Sequence, residues 1–303
     1  GCADMVSMAR PFLADAGFVK KAMEGRSDEI APCIACNQAC LDHTFSGKLT
    51  SCLVNPRACH ETELRYDPAT VQKRIAVIGA GAAGMATAII AAERGHRVTL
   101  WDKADQVGGQ LNMAKRIPGK EEFVGLVDWF ATMLDRRGVD LRLGVAPTVE
   151  DLRGFDEVIV ATGVTPRDPG IPGQEGPNVL SYIDVLAGKA PVGRRVAIVG
   201  AGGIGFDVAE YLVHEGQSPT ELPELWRREW GVADPADHRD RDEPGRPLPA
   251  GGPAPAPPAP AAGDAPQAGT PTPRAALDGV AEAHVALRRV TPWLLVAAVL
   301  FAV

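Results

Sequence analysis

The sequence predicts an α/β fold assembled from dinucleotide-binding units, and three observations carry that prediction. An apolar strand, Ile75 to Ile78, runs into Gly79, Gly81 and Gly84 and then into a helix of small and apolar residues reaching Gly95. The same order returns where strand Val196 to Val199 meets Gly200, Gly202, Gly203 and Gly205 before another helical stretch. Two further apolar strands, Val98 to Trp101 ending in Asp102 and a run from Glu157 ending in Ala161, Thr162 and Gly163, follow the first unit. Strands alternating with helical patterns give a parallel sheet.

At 303 residues and 46% apolar content the chain is long enough for two domains with real cores. A net charge of -7 gives no basic footprint, so nucleic acid is not an expected partner. The chain opens on Gly1 and "GCADMVSMARPFLAD" lacks a charged leader followed by an apolar run, so a portion of a longer, cytoplasmic polypeptide is expected. The expected divisions are 1–24, 25–72, 73–190, 191–232 and 233–303.

Residues 1–24 offer a short apolar strand, Met5 to Met8, an Arg-Pro pair and a helical pattern. One strand and one helix leave most of their apolar surface wet, so this stretch cannot fold alone.

Residues 25–72 hold five of the six cysteines, four of them in a ligand-like set. Cys33, Cys36, Cys40 and Cys52 are separated by two, three and eleven residues, so three can share a tight loop while the fourth closes the site. Thiolates at this spacing hold a metal centre in a reducing compartment, a cubane iron–sulfur cluster or tetrahedral zinc, with unligated or disulfide-bonded cysteines as the remaining reading. Three close ligands and one remote one is the commoner cluster pattern. Cys2 and Cys59 have no ligand role in the pattern, and His43 and His60 read as loop residues.

In residues 73–190 each motif position has a physical reason. Gly79 permits the tight turn, Gly81 lets backbone approach a pyrophosphate, and Gly84 lets the helix pack closely on the strand. The helix N-terminus supplies amide donors, and Asp102 accepts from a ribose hydroxyl. In residues 191–232 the second unit repeats the turn, but after Leu212 no strand ends in the acidic or basic residue that would select NADH or NADPH.

Two stretches carry a resemblance. "ADMVSMARPFLAD" resembles the last strand and turn of the flavin barrel in the old yellow enzyme family. "ACNQACLDHTFSGKLTSCLVNPRACHE" is similar to the iron–sulfur loop of bacterial NADPH-dependent 2,4-dienoyl-CoA reductases, relatives of trimethylamine dehydrogenase. The resemblance implies the end of a TIM-type barrel with Ala9 and Arg10 contacting FMN, and a 4Fe-4S cluster on the four cysteines. It further implies FAD on the first glycine unit, with Ala83, Asp102, Gly109, Gln110, Lys120, Thr162 and Gly163 lining it. NADPH falls to the second unit. The implied electron path is NADPH to FAD to cluster to FMN to a dienoyl-CoA of fatty acid β-oxidation. The resemblance puts the catalytic acids in the barrel, so none is assigned and this chain is not expected to turn over a dienoyl-CoA. A rival resemblance is to the small subunit of glutamate synthase, and a further rival is a zinc-stapled, inactive fragment.

Beyond Gly231 the family pattern stops. Residues 251–262, "GGPAPAPPAPAA", contain only Gly, Pro and Ala, so 233–275 are expected to be disordered. Trp293 to Val303 is apolar but shorter than the roughly 20 residues of a membrane span. A shifted reading frame or truncated gene is the expected origin of 233–303, with a natural linker and tail as the alternative.

Overall fold

The computed structural model describes residues 4–233. The expectations for Cys2, the Pro/Ala-rich stretch and the Trp293 to Val303 run lie outside the described residues, except that Ala233 is included. One compact unit covers Gly1–Ala190 and a second begins at Pro191.

The first unit is organised by a four-stranded parallel sheet: β1 Arg74–Ile78, β2 Arg97–Trp101, β3 Asp140–Arg142 and β4 Glu157–Val160, in the order β3-β2-β1-β4. β1 and β2 pair from Arg74↔Arg97 to Ile78↔Trp101, and β4 lies on the other side of β1 from Ile75↔Glu157 to Ile78↔Val160. The chain therefore reverses direction of winding at β1, which places a crevice at the carboxyl ends of β1 and β4.

Two helices cover one face. Helix Ala82–Glu93 is apolar nearly all round and buries Met85, Ala88 and Ile89. Helix Glu122–Arg136 is amphipathic and buries Leu126, Val127, Phe130, Met133 and Leu134, the spacing of one helical stripe. Both end in the same way. The Gly95 and Gly138 amides donate to the carbonyls of Ala92 and Asp135, and the His96 and Val139 amides to those of Ala91 and Leu134, with both glycines left-handed. The helix expected to reach Gly95 thus stops at Glu93, and Gly95 is its left-handed terminator.

The segment before the sheet is part of the same unit. Helices Arg10–Ala14 and Phe18–Met23 are followed by the cysteine loop. Buried Asp15 accepts from Lys21 Nζ at 2.6 Å and from the Ala31 amide at 2.9 Å through Oδ2, and from the Gly17 amide at 2.8 Å through Oδ1. Lys21 Nζ and Trp129 Nε1 both donate to the Glu29 carbonyl, at 2.8 and 3.0 Å, which ties this segment to helix Glu122–Arg136. Ile34 and Val54, one inside and one just beyond the cysteine loop, pack against the hydrophobic core under the sheet.

Two expected strands do not form. Met5 to Met8 has no regular structure and is exposed, as is Val196 to Val199 in the second unit. Both are apolar enough to be strands, but a strand is made by its neighbours, and among the described residues neither has one. The second unit holds helices Gly203–Val213 and Pro223–Trp230. No described helix is long and apolar enough to cross a membrane.

Candidate functional site

The first glycine turn sits at the crevice. Gly79 has φ +107°, and its amide donates to the Trp101 carbonyl at 2.7 Å while the Ala161 amide donates to the Ile78 carbonyl at 2.8 Å. A Cβ on Gly79 would collide with the Ala161 carbonyl and stand 3.1 Å from Thr162 Cα, so the crossing after β4 lies directly on the turn. A Cβ on Gly84 would collide with the Gly79 carbonyl oxygen. Gly81 is the extended residue from which helix Ala82–Glu93 starts, with φ -77° and ψ -178°, so the free amides of the first helical turn face the crevice mouth.

Asp102 closes the turn from β2. Its Oδ2 accepts from the Ala80 amide at 2.6 Å and its Oδ1 from the Ala104 amide at 2.8 Å. Each oxygen keeps lone-pair capacity for a hydroxyl donor. The Gly108 amide donates back to the Ala80 carbonyl at 2.8 Å, and a Cβ on left-handed Gly109 would meet Gly81 Cα at 3.0 Å. The structure therefore brings Gly79, Gly81, Gly84, Asp102, Gly109 and the Thr162 backbone to one place. Ala83 is exposed on the first turn of the helix, Gly163 is left-handed and exposed past β4, and Gln110 precedes the short helix Leu111–Ala114. Lys120 lies in the turn before helix Glu122–Arg136, its amide donating to the Ile117 carbonyl at 3.0 Å. Sequence reasoning missed Asn112, whose Nδ2 donates to the Val107 carbonyl at 2.8 Å and whose side chain abuts left-handed Gly108. Its only signal was its place four residues after that glycine.

The second turn repeats the backbone of the first. Gly200 has φ +125°, Gly202 is extended at φ -89° and ψ -178°, helix Gly203–Val213 follows, and a Cβ on Gly205 would collide with the Gly200 carbonyl oxygen. Among the described residues no sheet backs this second turn.

Cys33, Cys36, Cys40 and Cys52 line one small cavity together with Arg10, Leu13, Ile34, Asn37, Ala39 and Leu53. All four are free thiols and half-buried. The loop is shaped by left-handed Ala35 and Asn37 and by a single wide π-turn over Gln38–Asp42 that carries Cys40. The Ser51 amide donates to the Ala39 carbonyl at 2.7 Å and brings Cys52 back. Burial pushes the Cys36 thiol above its ordinary value, against a hydrogen bond from the Gln38 backbone, and the neighbouring Cys40, Cys52 and Cys33 add to the rise. Among the described residues no three metal-ligating side chains stand close enough to share a single ion. The four thiols are soft donors lining a common cavity. Arg10 Nη1 donates to Asn37 Oδ1 at 2.8 Å, and Ala9 begins the helix behind it with its carbonyl accepting from the amides of Phe12 and Leu13.

The turn, the switch-point crevice and the capping carboxylate agree with a match over residues 73–222 to the family described as Pyridine nucleotide-disulphide oxidoreductase. Residues 73–222 are a pyridine nucleotide-disulphide oxidoreductase domain. A domain of this family implies FAD and a nicotinamide dinucleotide, and the glycine cradle fits a pyrophosphate because a Cβ would fill it.

The chain is also similar to curated relatives over a larger share of its length than residues 73–222. It is 42% identical over 227 residues to a metal reductase of Desulforamulus reducens, covering 73% of this chain and 34% of that protein. It is 35% identical over 249 residues to a cinnamate reductase of Clostridium sporogenes, covering 80% and 36%. A solved 2-naphthoyl-CoA reductase in complex with 2-naphthoyl-CoA shares 34% identity at a TM-score of 0.67, over 69% of this chain and 32% of that one. The chain thus spans about a third of the length of the relatives it matches.

Proposed function

We propose that this chain is the electron-delivery part of a flavin-dependent, NADPH-using reductase of conjugated acyl substrates, with 2,4-dienoyl-CoA as the favoured substrate class. The observation that carries the reading is the seating of the cysteine loop: Ile34, between Cys33 and Cys36, and Val54, just past Cys52, are packed into the core of the oxidoreductase domain. A metal centre held by this loop would occupy a set position on the domain that binds FAD. The relatives named for cinnamate and 2-naphthoyl-CoA support the conjugated acyl class, since each name describes a carbonyl conjugated to unsaturation.

The residues divide the work as follows. Gly79, Gly81 and Gly84, with the amides of the first helical turn, hold the FAD pyrophosphate, and Asp102 accepts from its ribose. Gly109 and Gln110 cover the crevice beside that turn, and Ala161, Thr162 and Gly163 close its other wall. Gly200, Gly202, Gly203 and Gly205 hold the nicotinamide dinucleotide. Cys33, Cys36, Cys40 and Cys52 hold a 4Fe-4S cluster, the centre for which three close ligands and one remote one is the commoner pattern. Bound flavin and cluster supply the conversion of a two-electron hydride donor into single-electron steps. Arg10 and Ala9 would contact the FMN of the barrel, as the resemblance of their stretch implies.

The test is an anaerobic visible spectrum of the purified chain with flavin, iron and sulfide analysis. Flavin bands with a broad shoulder near about 400 nm and roughly four irons per chain are expected. Zinc in place of iron, with no flavin, would overturn the proposal.

A further inference from the structure

We propose that Arg10 serves the four-cysteine site: it holds the turn that presents Cys36 and Cys40, and its charge favours an added electron there. The inference rests on the iron–sulfur reading of the cysteines and goes beyond the FMN-phosphate role that the barrel resemblance implies for Arg10. Its guanidinium meets Asn37 Oδ1 at 2.8 Å, and Asn37 stands between Cys36 and Cys40. Asn37 is left-handed at φ +59°, and its carbonyl accepts from the Asp42 amide at 3.0 Å to open the π-turn that carries Cys40. An arginine on the side chain of that residue therefore grips the pivot of the loop. Arg10 also lines the cysteine cavity, and among the described residues that line it Arg10 is the charged side chain, with no Asp or Glu in the wall.

The chemistry follows from charge. Four thiolates around an iron–sulfur core give a net negative group, and reduction adds one electron to an iron with no bond made or broken and no proton taken up. The electron comes from reduced flavin, or from dithionite in the experiment. A fixed cation within about 10 Å, at an effective dielectric near 20, changes the equilibrium constant for that step by roughly tenfold. Tenfold corresponds to about 59 mV for a one-electron couple.

The experiment uses the full chain reconstituted anaerobically with iron, sulfide and FAD, as wild type, Arg10→Gln and Arg10→Lys. Iron and flavin contents are measured, and the midpoint potential is followed by paramagnetic resonance during dithionite titration. Arg10→Gln should lower the potential by roughly 59 mV at unchanged flavin content, and Arg10→Lys, which keeps the charge, should restore most of it. Equal lowering in both variants would overturn the charge role, and an unchanged potential in both, even with iron lost, would reduce Arg10 to a structural latch and overturn the proposal. Either result on an iron-loaded wild type leaves the electron-delivery function standing. A wild-type chain that takes up no iron overturns both.

Discussion

Replacing Asp15 with alanine tests how the cysteine-bearing segment is fastened to the nucleotide domain. Its carboxylate is 7% exposed as a residue and accepts from one ammonium and two backbone amides. Removing one partner of a buried ion pair costs about 3–5 kcal/mol, and each orphaned amide about 1–3 kcal/mol, but these overlap because the same oxygens serve both. Lys21 keeps the Glu29 carbonyl, and its side chain is 21% exposed, so water recovers part of the ammonium's hydration. The lower end, about 3 kcal/mol, is the expected loss. With a urea slope of about 1–3 kcal/mol per molar, the midpoint should fall by roughly 1–3 M if unfolding is cooperative over the unit. Hydrogen exchange should show the loss first in residues 10–34. Asp15→Asn retains one acceptor oxygen and should fall between the two. A midpoint shift equivalent to under about 1 kcal/mol for Asp15→Ala, with exchange unchanged in 10–34, would refute the reasoning.

Gly84→Ala should abolish FAD retention, because its methyl group would land on the Gly79 carbonyl; flavin released on gel filtration measures it, and a fully loaded variant would contradict the cradle. Trp129→Phe keeps the apolar body but loses the bond to the Glu29 carbonyl, so about 1 kcal/mol of stability should go, read by thermal unfolding. Cys52→Ala should remove iron while flavin content is retained, since Cys52 lines the cysteine cavity and takes no part in the glycine turn. On the acid side, hydrogen bonds from the Thr148 amide and hydroxyl hold the Asp151 carboxyl below the usual carboxylate range. A depressed folded value means its contribution is full above about pH 4 and is lost as pH falls through the folded value, and Asp151→Asn should flatten that part of the stability profile.

The first glycine unit was legible because its strand, turn and helix are continuous in sequence. They lie within Arg74 to Glu93, and Gly84 is demanded by the Gly79 carbonyl five residues away, whereas the crowding of Gly79 by Ala161 comes from the far side of the sheet and no spacing announces it. The strands at Met5 to Met8 and Val196 to Val199 were misread for the opposite reason: their sequences suit a sheet, but pairing depends on partners elsewhere. The hydrogen bond from Trp129 to Glu29 joins residues 100 apart, and no periodicity or spacing announces it. The cysteines lay between these cases. Their order gave a ligand set, whereas their seating through Ile34 and Val54 depends on a core assembled mainly from residues after Arg74. Arg10 stood out as an expected FMN contact, whereas its partner Asn37 was hidden, because asparagine in a loop is ordinary until its backbone is seen to be left-handed.

The anchoring of Ile34 and Val54 also decides where this chain can change length. Between Cys40 and Cys52 the backbone makes an outward excursion whose tip, near Phe45 and left-handed Gly47, is exposed and touches nothing that a longer tip would disturb. Extra residues there would only enlarge the excursion at a small cost in closure entropy. A single residue added between Cys33 and Cys40 would rotate Ile34 out of the core or Cys40 out of the cavity. Drift in loop length is thus channelled to one side of the cysteine set, while the short side serves as its ruler.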